Sequence, residues 1–240
     1  MSRRPTTAPA RSQPIEQVAP TSFDGAVCRL FVRLRRIPFF WRLTLLTRIL
    51  MVAAFLPTGM VKLLGRRFTL LPVDNPVGAF FEAMYQTGVY WQFLGLSQVA
   101  AALLLALPAT AHLGALLTLA ITVNIFLITV GVGFTGTPMV TGPMLLAAVY
   151  LCAWDLHRFR SLWTVRSWPA ELTVPQPRLD PVERVGFTVF AFCVLAFFGT
   201  TRFAAAWLPP GALVVVGAAA GLLALGRFGW IARRGHPGAA

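Results

Sequence analysis

This sequence is short of negative charge. It sets 8 Asp and Glu against 21 Lys and Arg, and charged residues of both signs fill only 12% of its 240 positions. A soluble domain gives about 25% of its residues to charge, so an ordinary water-facing surface is excluded. Cysteine is sparse too: Cys28, Cys152 and Cys193 lie far apart and form no CxxC pair, and they are expected to be small apolar packers rather than redox groups. His112, His157 and His236 are scattered near helix ends or the C-terminus and supply no evident metal or haem ligand set. There is no HExxH and no phosphate-binding glycine loop between a strand and a helix. With no complete catalytic motif, the chain is not expected to be an enzyme by itself.

What is present is apolar length. Hydrophobic residues make up 57% of the chain and its mean hydropathy is +0.70, which also excludes general disorder. The formal charge of +13 invites a nucleic-acid reading, but a basic face on a soluble fold does not come with long, nearly charge-free apolar runs, so no nucleic-acid partner is expected. The lipid bilayer is the partner these numbers point to. Six apolar segments, about 43–64, 89–107, 112–134, 137–156, 186–207 and 210–231, are close to the roughly 20 residues a helix needs to cross the hydrocarbon. The expected fold is all-α, a polytopic transmembrane bundle of six helices.

Around these segments the chain divides further. Residues 1–22 carry four prolines and no apolar periodicity and read as a disordered basic arm. Over residues 23–42, Val27, Leu30, Phe31 and Leu34 recur at helical spacing with Arg29, Arg33 and Arg36 on another face, the pattern of an interfacial amphipathic helix. Between the first two segments, Asn75 and Pro76 open a short outer helix whose apolar stripe is Val77, Phe80, Phe81 and Met84. Residues 161–185, rich in proline and arginine, read as an irregular linker before the helix pair in 186–231, and 232–240 form a basic tail.

Orientation follows from Lys and Arg in the connections. With both termini in the cytoplasm, 17 of these residues fall on the cytoplasmic side, and 4 (Lys62, Arg66, Arg67 and Arg202) fall outside. An N-in, C-in topology is expected.

Polar groups within or beside the apolar segments are the candidate site residues, because each is costly in hydrocarbon unless it faces protein, water or a partner. Gln98 and Asn124 fall at similar depth near the middle of the second and third helices, and are expected either to clamp those helices together or to meet a ligand. Arg48 and Asp155 sit at the cytoplasmic ends of helices 1 and 4 and are expected to pair. Lys62, the only lysine, ends helix 1. It is expected either to snorkel to the headgroups or to pair with Glu82 and hold the outer helix over the bundle. Gly217 and Gly221 form a GxxxG spacing that permits close helix approach within the bundle or a homodimer.

The stretch RILMVAAFLPTGMVKLLG, with Arg48, Gly59 and Lys62, is followed by VGAFFEAMYQTGVYWQFLGLSQVAAALLLALP, by LGALLTLAITVNIFLITV with Asn124, and by YLCAWDLHRF with Asp155. Together, over about residues 43–160, these segments resemble the DoxX-like family of bacterial integral membrane proteins. Many members place Glu where this chain has Gln98, and glutamine cannot titrate, so a proton-relay role at that position is lost here. The resemblance implies a four-helix membrane domain, with helices 5 and 6 and the N-terminal arm outside it. It also implies an accessory role in a quinone-linked or redox complex, with quinone as cofactor and a membrane redox subunit as partner. A small-solute or lipid permease, with Arg48, Gln98, Asn124 and Asp155 lining a route, and a membrane scaffold are the other readings. The family is mainly bacterial, and the excess of arginine over lysine fits a GC-rich genome, so the expected location is the bacterial cytoplasmic membrane.

Overall fold

The computed structural model describes residues 23–162, 177–203 and 209–233. The arm 1–22, most of the linker and nearly all of the basic tail lie outside these residues. Among the described residues the regular structure is all helical, with no strand: α1 (Phe23–Arg36), α2 (Pro38–Leu63), α3 (Pro76–Gln86), α4 (Val89–Ala106), α5 (Ala111–Gly131), α6 (Pro138–Trp154), a 3-10 segment (Leu156–Leu162), α7 (Pro181–Phe203) and α8 (Pro210–Arg233).

Proline sets many of these boundaries. Pro38, Pro76, Pro138, Pro181 and Pro210 each occupy the first position of their helix, where the missing N–H would have had no intrahelical partner and the fixed φ is already helical. Two expectations shift as a result. The basic amphipathic helix ends at Arg36, and the first long helix begins at Pro38, before the expected start near 43. The helix of the fifth expected segment likewise begins at Pro181, within the expected linker. Asp180 caps it by accepting from the Val182 N–H at 3.2 Å, and Glu183 reaches back to the Asp180 N–H at 2.9 Å, completing a capping box.

Five of the helices, Pro38–Leu63, Val89–Ala106, Ala111–Gly131, Pro181–Arg202 and Pro210–Ile231, are long and apolar enough to cross a membrane, and only 17–33% of each apolar window is buried within the chain. Most of their apolar surface therefore faces outward, as on Leu222 and Leu223 of α8, each 69% exposed. Meanwhile Arg42, Lys62, Gln98, Asp155 and Glu183 are buried. Apolar residues outside and polar ones inside suit a multi-pass membrane protein, where lipid rather than water is the outer solvent. The remaining apolar helix, α6, is shorter, with 17 residues.

α2 packs along α4, α5 packs on both α4 and α6, and α2 also meets α6, so these four form an antiparallel bundle. α7 packs on α2 as well, and α8 packs on α7. At mid-bundle, Met51 and Phe55 of α2 meet Ala101, Ala102 and Leu105 of α4, Ala115 of α5 and Ala148 and Leu151 of α6 in a buried apolar layer. The layer separates two ends. One gathers α1, the start of α2, the end of α6 and the start of α7, and is called the arginine end. The other gathers the end of α2, α3 and the start of α4, and is called the lysine end.

Candidate functional site at the lysine end

The lysine end begins with a close helix contact. A Cβ on Gly59 would lie 2.8 Å from Gln98 Cβ, and one on Gly95 would run into the backbone nitrogen of Leu63. Two glycines facing each other thus let α2 and α4 touch backbone to backbone. That approach brings Lys62, one turn after Gly59, over Gln98, one turn after Gly95. Lys62 Nζ donates to Gln98 Oε1 at 2.8 Å and, more weakly, to the main-chain carbonyl of Thr58 at 3.4 Å.

Aromatic rings close the site. Lys62 Nζ lies 4.4 Å from the Phe68 ring centroid and 5.5 Å from that of Trp91. Trp91 is almost fully buried, and its indole N–H donates to the Arg66 carbonyl at 2.9 Å, which ties the chain after α2 to α4. Above them, α3 is started by Asn75, whose side chain accepts from the Val77 N–H at 2.9 Å. The expected stripe of Val77, Phe80, Phe81 and Met84 turns inward and is half-buried. Phe81 contacts Phe68, Trp91 and Phe134. Arg202, near the end of α7, places its guanidinium 4.4 Å from the same Phe68 ring.

Two cations therefore meet at Phe68 with no carboxylate paired to either among the described residues. An ammonium has three N–H donors. Lys62 gives one to an amide oxygen and one to a long main-chain contact, and the third has no oxygen partner among the described residues. A buried cation held by dipoles and ring faces keeps its charge uncancelled, which suits a partner offering a carbonyl or anionic oxygen.

The candidate site residues fall out differently from their expected pairing. Glu82 does not pair with Lys62. It takes Arg67 through two hydrogen bonds at 2.9 and 3.0 Å and Gln86 at 2.7 Å. The reason is reach: Lys62 runs inward along the α2–α4 seam, whereas Arg67 lies on the surface facing α3. Arg67 holds the Glu82 carboxyl down at about 2. Gln98 and Asn124 do not meet either. α5 turns Gly114, Thr118 and Thr122 inward, while Asn124 is on an exposed face and donates to Ala120 O of its own helix at 2.8 Å. Residue counting along two helices gives expected depth but not rotation about their axes, and rotation sets Gln98 and Asn124 apart.

Arg48 and Asp155 do pair, at 2.8 Å. Arg35 joins them, with Nη2 donating to Trp154 O at 2.9 Å and lying 3.5 Å from Asp155, and its guanidinium packs near the Phe31, Trp41 and Trp154 rings. Burial lowers the Arg35 pKa to about 10, with Asp155 opposing the shift. Sequence reading passed over Arg35, yet it stands four residues after Phe31 and so shares its buried face, whereas Leu30 of the expected apolar stripe is 56% exposed. It also passed over the buried pair of Arg42 and Glu183, joined at 2.7 and 2.8 Å. The capping-box spacing of Asp180 and Glu183 before an apolar run was the signal available. Arg42 also stacks on Phe228 of α8 at 4.0 Å, fastening the C-terminal hairpin to α2.

Gly217 and Gly221 face α7 of the same chain, where added Cβ atoms would meet Cys193 Cβ at 2.9 Å and the Phe190 ring at 3.2 Å. No protein-family model, curated protein or solved structure matches the chain.

Proposed function

We propose that this chain is an accessory, membrane-embedded subunit of a quinone-linked or redox complex, and that its lysine end receives the quinone. The observation that carries the reading is Lys62: buried, held to Gln98 at 2.8 Å, enclosed by Phe68 and Trp91, and without a carboxylate among the described residues. A quinone head has carbonyl oxygens to accept the unused N–H and a flat ring to lie against aromatics. When bound, it supplies the capacity to carry electrons and protons. Lys62 and Gln98 would hold it, and Phe68, Phe81 and Trp91 would keep water away. The resemblance to the DoxX-like family supports this reading, and the departure at Gln98 sharpens it. A Glu there would cancel the Lys62 charge, and the glutamine leaves it available.

In this reading α6 is a sixth span, since its 17 residues cover about 26 Å and the pairing of Arg48 with Asp155 returns its end to the level of the start of α2. The arginine end faces the cytoplasm of a bacterium, giving both termini that side. Transport is the weaker reading, because the buried layer around Phe55 and Leu105 separates the polar groups of the two ends.

The test is purification of the full chain in mild detergent, followed by quinone extraction and identification of co-purifying proteins. Wild type is expected to carry quinone near one per chain, or a stable oxidoreductase partner, and Lys62→Met is expected to lose the quinone while remaining folded. Absence of both from wild type, or undiminished quinone in Lys62→Met, removes the proposal.

A further inference from the structure

The arginine end contains an imbalance that the lysine-end reading does not use. Each nitrogen of Arg42 has a partner: Nε and Nη2 donate to the two oxygens of Glu183, and Nη1 donates to Pro38 O at 3.1 Å. Asp155, by contrast, serves three guanidinium groups at once, Arg48 at 2.8 Å, Arg35 at 3.5 Å and Arg158 at 4.0 Å. One carboxylate cannot neutralise three cations, so the cluster keeps a net positive charge.

Its donors are also incompletely used. Arg35 Nε and Arg48 Nε are buried with no hydrogen-bond partner, and the Arg35 side chain is only 7% exposed. His157 adds a third. Its Nε2 lies 3.4 Å from Arg35 Nη1, and because arginine only donates, that nitrogen accepts and Nδ1 carries the proton. Nδ1 too is buried without a partner. Buried donors left unmade are costly, more so beside excess positive charge. Arg48 and Arg158, whose side chains are 22% and 38% exposed, open the cluster toward the surface, beside Trp41, whose ring lies 5.2 Å from the Arg35 guanidinium.

We propose that Arg35, Arg48, Arg158 and His157 bind the phosphate of an anionic phospholipid headgroup. A phosphate offers several acceptor oxygens at the density that clustered guanidinium groups need. The cluster lies at the end of the bundle from which the basic helix α1 departs, the level at which headgroup phosphates meet a membrane protein. Here lipid is a specific ligand seated between α1, α2 and α6, distinct from the solvent around the helices.

The experiment uses the full chain in nanodiscs of zwitterionic lipid, with and without phosphatidylglycerol, read by thermal stability and by native mass spectrometry of retained lipid after extraction into detergent. Wild type is expected to be more stable in the anionic discs and to retain one phosphatidylglycerol. Arg48→Gln and Arg158→Gln should each weaken retention by about tenfold or more, the scale of one charge-assisted hydrogen bond. Arg158→Gln, at the more exposed position, keeps the test usable should Arg48→Gln not fold. Arg66→Gln, a surface change at the other end, should leave retention unchanged. Equal stability in both discs with no retained anionic lipid overturns the proposal, and so does retention unaffected by Arg158→Gln. If inorganic phosphate alone stabilises the protein in zwitterionic discs to the same extent, the site takes a soluble phosphate and the lipid assignment fails.

Discussion

At the arginine end, Arg42 gives two donors to Glu183 and the pair is neutral. At the lysine end, Lys62 meets, among the described residues, an amide oxygen, a main-chain carbonyl and aromatic rings and no carboxylate. Both cations are buried in a bundle whose outer face is apolar. The difference lies in what each arrangement leaves over. A bidentate carboxylate cancels the guanidinium charge and joins α2 to α7, so its chemistry ends in structure. Dipoles and ring faces hold an ammonium without neutralising it, so charge and an N–H remain for a ligand. The contrast separates a fastening from a site, although both rest on one buried basic side chain.

The contrast breaks first at the fastening. Glu183→Ala strands the Arg42 guanidinium and is expected to cost about 3–5 kcal/mol, with α7 and α8 released from α2. Unfolding in detergent and limited proteolysis measure this, and replacing both residues by leucine should recover most of the loss. Gly95→Leu strikes the seam that positions Lys62 over Gln98. It forces α2 and α4 apart and should cost about 1–3 kcal/mol while abolishing ligand retention. A loss of stability with retention intact would separate the site from the seam.

Acid distinguishes the two ends. Burial and the neighbouring Arg35 lower the His157 pKa from 6.5 to about 4, so folded protein resists a proton that the unfolded chain accepts. Stability is complete above about pH 6.5 and falls as pH drops toward 4. At the lysine end, the Glu82 carboxyl sits at about 2 against an ordinary 4.5, chiefly through its hydrogen bond from Arg67. The contribution of this pair is present above about pH 4.5 and is lost as pH falls toward 2. His157→Gln should remove only the first step and Glu82→Gln only the second, as read by unfolding across that range. The smallest effect belongs to Asn124, whose side chain bonds only its own helix. Asn124→Leu should change stability by no more than about 0.5 kcal/mol.

These residues also show where sequence reading holds and where it stops. Apolar length locates the long helices, and the end positions of Arg48 and Asp155 lead to their pairing, because a charge at a helix terminus has few places to go. Length gives depth but not rotation. α4 and α5 are apolar over most of their surface, so their periodicity does not say which face turns inward, and Gln98 and Asn124, expected at similar depth, point in different directions. Charge alone points Lys62 to the acids after helix 1. Its partner came instead from Gly59 and Gly95, whose meaning appears only once the two helices touch. Phe68 and Trp91 carry no signature apart from other aromatics, and only the fold brings them over the ammonium.

Gln98→Glu tests the account most directly, because it supplies the counterion that Lys62 lacks without removing the lysine. Measured as quinone extracted per purified chain alongside thermal stability, the variant is predicted to be at least as stable as wild type and to lose its quinone. Quinone content equal to wild type in a folded Gln98→Glu protein would contradict the claim that an uncancelled Lys62 makes the lysine end a binding site.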